Sequence, residues 1–88
     1  MRHATAPALA RLAPLLAALR AFPELRESKP GVFYRGSQAF LHFHEDGAGD
    51  FSDVKVERDW ERARVTTQRE RAALLRRVRA LLASSTSR

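Results

Sequence analysis

The chain contains no cysteine, which excludes a disulfide framework, a thiolate nucleophile and thiolate ligation of a metal. Glycine and proline are scarce, four of each in 88 residues, so each one marks a particular turn or helix boundary. Lysine is almost missing, with two against fourteen arginines. No uninterrupted apolar run approaches the about 18 residues that a membrane span requires, and no membrane partner is expected. The opening apolar stretch is broken by Arg11 and Arg20 and has no clean cleavage site, so a secretory signal is not expected, although an arginine-rich presequence has the same look. Cytoplasmic residence is the default expectation.

What is present bounds the answer further. A chain of 88 residues makes one domain, 1–88, with a thin core and little room for a deep pocket; residues 1–5 and 84–88 are expected to be mobile. The net charge of +6 comes from arginine beside abundant alanine, a pairing that GC-biased coding also produces. Its distribution is uneven: residues 1–44 carry six basic and two acidic groups, 45–59 two and six, and 60–88 eight and two. Such a division suits partner steering or head-to-tail self-association.

Periodicity gives the elements. Thr5 can cap a helix and Pro7 suits its first turn, after which Leu9, Leu12, Leu15, Leu16, Leu19 and Phe22 recur at helical spacing. Pro14 lies inside that pattern and must kink it or mark where its stable part begins, and Pro23 ends it. Glu24 to Gly31 reads as a polar link. Val32 to Arg35 favours a strand, and Gly36-Ser37 a tight hairpin turn. From Gln38 to His44 strict alternation places Ala39, Leu41 and Phe43 on one face and Phe40, His42 and His44 on the other. Glu45 to Asp50 is the next turn, and Phe51 to Arg58 a strand with Val54 and Val56 inward. Asp59 to Glu61 reads as a turn with Trp60 over the sheet margin, and Arg62 to Val65 as a short fourth strand. Thr67 and Glu70 form a capping box for a last helix from Gln68 to about Ala83, whose arginines lie wholly or partly off its leucine face. The expectation is an α+β, two-layer fold: three or four antiparallel strands, with the N-terminal and C-terminal helices packed on one face in the order α-β-β-β-(β)-α.

Several groupings are candidates for chemistry. His42 and His44 leave one strand face together and can share a metal, with Asp46, Asp50 or Asp53 as oxygen ligand. The string HFHED resembles the first part of the HxHxD run of metallo-hydrolases, but Gly47 stands where a further histidine belongs, and His3 lies in the terminal segment. A general acid–base pair would join His44 to Asp46 or Asp50, yet no nucleophile has an evident place beside it. Lys29-Pro30-Gly31 and Arg35-Gly36-Ser37 offer a cation beside a free amide, without matching a phosphate-loop pattern. Arg62, Arg64, Arg69, Arg76, Arg77 and Arg79 are the cations a nucleic-acid partner would use, with Tyr34 and Phe40 as stacking platform. Tyr34, Phe40, His42, His44 and Trp60 are the candidate contacts of a homodimer formed through a sheet face that no helix covers.

Leu25, Glu27, Pro30, Gly31, Val32, Arg35, Gly36, Ala39, Phe40 and the run Val54-Lys55-Val56 resemble a pattern in the small bacterial MmcQ/YjbR-like proteins, over roughly residues 15 to 60. The resemblance implies a compact α+β fold discussed as DNA-binding, and supplies no catalytic residues. The arginine-rich last helix departs from that family, which has more sheet there.

Taken together, the residues favour a protein without catalysis that self-associates or binds a protein partner. A nucleic-acid-binding module comes next, and a metal-dependent enzyme centred on His42 and His44 third. No cofactor and no small-molecule ligand is identifiable at this level.

Overall fold

In a computed structural model, which describes residues 2–86 and side chains through Ser84, the chain runs β1 (Arg2–His3), α1 (Ala6–Arg11), α2 (Ala13–Arg20), β2 (Arg26–Lys29), β3 (Val32–Arg35), β4 (Gln38–Asp46), β5 (Gly49–Val56), β6 (Asp59–Arg64) and α3 (Gln68–Thr86). Met1, Ser87 and Arg88 lie outside the described residues, and with them parts of both segments expected to be mobile. The fold is α+β with one antiparallel sheet. Strands β2 to β6 form a meander in the order β2-β3-β4-β5-β6, and β1 pairs with the far part of β4. All four meander hairpins close through two residues, at Pro30-Gly31, Gly36-Ser37, Gly47-Ala48 and Glu57-Arg58. Such short loops fix register tightly. Gly31 and Gly36 supply left-handed backbone at φ 80° and 62°, and Glu57 adopts φ 58° without being glycine.

Both helical ends cover one face of this sheet. Leu12, Leu15, Leu16 and Leu19 from the first helical region meet Leu74, Val78 and Leu82 of α3 over Phe33, Leu41, Phe43 and Val54. Pro14 has no amide to donate four residues back, and the helix indeed divides just before it, at Leu12 (φ −91°, ψ 5°). The capping box forms as read: Thr67 Oγ1 accepts the Glu70 amide at 3.1 Å, and Glu70 Oε1 accepts the Thr67 amide at 2.9 Å.

The sheet has six strands rather than three or four, for identifiable reasons. β2 is Arg-Glu-Ser-Lys, a polar edge strand without apolar alternation, in what reads as a link. β1 is two residues long, too short for any pattern. Asp59, Trp60 and Glu61 lie within β6, because the turn falls earlier, at Glu57-Arg58. Glu45 and Asp46 continue β4 instead of opening a turn.

The largest departure is Phe40. Phe33 pairs with Leu41 but Tyr34 with Ala39, so β4 carries one extra residue at Phe40. A bulge of this kind resets the alternation. Phe40 therefore turns to the helix side, 5% exposed within the apolar cluster, while Ala39 joins Tyr34 and His42 on the open side. It is not positioned as a stacking or dimer-contact residue. Phe40→Ala is expected to destabilise the protein by about 3–5 kcal/mol, the cost of emptying a packed aromatic site; urea unfolding with a loss below about 1 kcal/mol would contradict this placement.

Candidate metal centre

The register of β4 assigns the open face. His42 pairs with Asp53 and His44 with Phe51 on β5, Asp53 pairs with Arg62 on β6, and His3 of β1 stands opposite His44. Cross-strand partners project on the same side, so three histidines and Asp53 converge. The ligand nitrogens of His3, His42 and His44 all lie within 4.8 Å of one another. His42 Nδ1 and His44 Nε2 are 2.9 Å apart, and Asp53 Oδ2 is 3.0 Å from His44 Nε2 and 3.8 Å from His42 Nδ1. The His3 ring stacks on that of His44 with centroids 4.8 Å apart, and Trp60 closes the other side, its centroid 4.6 Å from that of His42.

His3 is the member that sequence reasoning missed. It reaches the site because β1 is pinned behind it: the Ala4 amide donates to the Phe43 carbonyl at 3.1 Å and the Thr5 amide to Glu45 Oε2 at 2.7 Å, with the Thr5 hydroxyl on the same oxygen. Thr5 thus caps no helix amide with its side chain. Asp50, a candidate ligand, faces the other way. It pairs with Glu45 across the hairpin, and Arg11 binds both its oxygens, at 2.8 and 3.1 Å. Asp46 stays at the exposed end of β4, where its Oδ1 accepts the Ala48 amide at 2.7 Å. Neither acid pairs with His44, so the acid–base pairings read from sequence are replaced by His44 with Asp53.

The electrostatics suit neutral imidazoles. Burial lowers His42, helped by repulsion from His44 and opposed by Asp53, and burial lowers His44 against the same carboxylate. Asp53 is held low chiefly by Arg62, which grips both its oxygens at 2.8 Å. His44 also hydrogen-bonds the Arg2 backbone. Nε2 is the His44 nitrogen on the cluster side, facing His42 Nδ1 and Asp53 Oδ2.

Four of the six candidate arginines have partners within the protein. Arg62 is held by Asp53, Arg64 by Glu70 and the Ala48 carbonyl, and Arg77 by Glu61. Arg79 lies over the Phe22 ring. Comparison with protein-family models, with curated proteins and with solved structures gives no match for this chain.

The sign of the histidine shifts sets a pH dependence. An unfolded chain takes up protons at the ordinary imidazole value of 6.5, before the buried rings do, so stability is lost as pH falls from there toward the lowered folded values. The shifted carboxylates titrate below their ordinary 3.8 and 4.5, which leaves the range from about pH 6.5 to about 5 to the histidines. Urea unfolding at pH 7.5 and 5.0 is expected to show a loss that shrinks in the His42→Gln/His44→Gln double variant. An equal loss in both proteins would refute the assignment.

Proposed function

We propose that this protein binds one divalent transition-metal ion, of the Zn²⁺ class, through His3, His42 and His44. The observation that carries the reading is the convergence of three histidine nitrogens within 4.8 Å on an open sheet face. Imidazole nitrogens suit Zn²⁺ and its first-row neighbours. Around a tetrahedral ion at 2.0–2.1 Å, ligand nitrogens stand about 3.3 Å apart. The 2.9 Å His42–His44 hydrogen bond would open by a few tenths of an ångström, and His3 would close in. Neutral rings are the form that binds. Asp53 stands beside the ion as a carboxylate whose charge is offset by Arg62. The three ligands leave one tetrahedral position for an exogenous group, the arrangement that supports chemistry at the metal rather than a purely structural role.

Titration of metal-free protein with Co²⁺ and Zn²⁺ is expected to give one equivalent bound. Co²⁺ should produce visible bands and quench the single tryptophan, Trp60, beside His42. His42→Ala and His44→Ala should abolish stoichiometric binding. Asp53→Asn, which removes the carboxylate beside the ligand nitrogens, should weaken it by about tenfold or more, with Zn²⁺ still raising Tm. Undiminished binding in the His3→Ala/His42→Ala/His44→Ala variant would refute the reading.

A second reading, self-association, rests on Trp60. It is the large apolar side chain left exposed among the described residues, at 40%, and it lies on the face the helices do not cover, with Tyr34 and Phe51. Both sheet edges are short and charged, β2 as RESK and β6 as DWERAR, which disfavours edge-to-edge pairing; a dimer would meet face to face. Equilibrium sedimentation should then find a dimer that Trp60→Glu converts to monomer. A wild-type monomer throughout the micromolar range would end this reading.

A further inference from the structure

Resting on the metal reading, we infer that the centre takes a small organic dianion, one carboxylate on the metal's open position and the other on Lys29, with an apolar body between them. A cleft of about 500 Å³ begins at His3 and His42 and extends to Lys29, over Val32, Ala39 and Phe43. This is the size and the mainly apolar lining of a small-molecule site. His3 and His42 line this cleft and His44 does not; His44 and Asp53 stand together, 3.0 Å apart, and the open metal position we infer is the one on the opposite, cleft side.

The pairing register gives the distance. Lys29, Val32 and His42 are successive cross-strand partners on β2, β3 and β4, so Lys29 projects on the histidine face two strands from His42. At 4.7–4.9 Å per strand the two backbones are about 9.6 Å apart, a gap that a four- to six-carbon diacid bridges once both side chains lean over it. Val32 lies between them as an apolar floor. No carboxylate stands within ion-pair reach of Lys29 among the described residues, whereas Arg20, Arg62, Arg64 and Arg77 each have one. Gly31, in the turn beside Lys29, brings the hairpin down onto Leu9: a Cβ there would stand 2.7 Å from Leu9 Cδ2. The turn at the Lys29 end of the cleft also takes φ 80° at Gly31, a conformation that favours glycine.

The probes are hexanedioate and hexanoate, titrated into Co²⁺-loaded protein and followed through the visible bands. Hexanedioate is expected to shift the bands at about tenfold lower concentration than hexanoate, the increment of one charge-assisted hydrogen bond. Lys29→Gln should bind Co²⁺ unchanged and erase that difference, and Lys29→Arg should keep most of it. Equal titration of the two acids by wild-type protein, a diacid advantage that survives Lys29→Gln, or bands that neither acid moves would overturn the inference while leaving the metal reading intact. Absence of any Co²⁺ bands would remove both.

Discussion

A single buried carboxylate holds the parts together. Glu45 accepts the backbone amide and the hydroxyl of Thr5, and Thr5 is the junction between β1 and α1. One side chain on β4 therefore sets where the first strand lies and where the first helix starts. Glu45 also stands across the hairpin from Asp50, two like charges that would repel in a buried setting. Arg11, one helix later, resolves this by binding both oxygens of Asp50 and approaching Glu45 at 3.7 Å. On the same sheet face, Arg71 of α3 approaches Asp50 at 4.0 Å. The polar end of the core is thus a compensated network that ties both helical regions to the β4–β5 hairpin, and the placement of His3 beside His44 is its consequence.

The second constraint is the bulge. In an unbroken strand, Phe40 would share the face of His42 and His44, and the open face would read as an aromatic, partner-binding surface. One inserted residue exchanges Phe40 for Ala39. The core gains a large aromatic, and the space above Ala39 becomes the cleft that runs past His42. The same event that buries Phe40 therefore makes room next to the histidines, so core packing and site shape are one decision of the backbone.

Much of this architecture is legible in the residues and some is not. The leucine periodicities, the Thr67/Glu70 box, the break at Pro14, the Gly36-Ser37 turn and the inward Val54 are local signals, and each is realised. The shared face of His42 and His44 follows from their spacing alone. What escapes is non-local. Strand β2 has no apolar pattern because an edge strand over a hairpin needs none. A bulge is written in pairing geometry rather than composition, and Ala-Phe-Leu gives no sign of which residue is extra. His3 enters the site only through the bond between Thr5 and Glu45, forty positions apart, and Asp50 leaves it only because its neighbour Asp53, three residues on, has the opposite parity along β5.

The row of partners Lys29, Val32, His42, Asp53 and Arg62 across five strands sets the polar and titratable groups of the proposed site on one face. A chain of this size spends nearly all its apolar side chains on one sheet side, so a polar site must be built on the other, on strands whose backbones cannot shift independently. Asp53 alone would neutralise half the charge of a bound divalent ion and repel an anion. Arg62, bidentate on Asp53, cancels that carboxylate, so three neutral imidazoles would leave the ion's charge undiminished toward the cleft, with Lys29 adding a second cation at its far end. The balance of the row is positive on the side where space is open, which would favour an anionic ligand over a cationic one at the proposed centre.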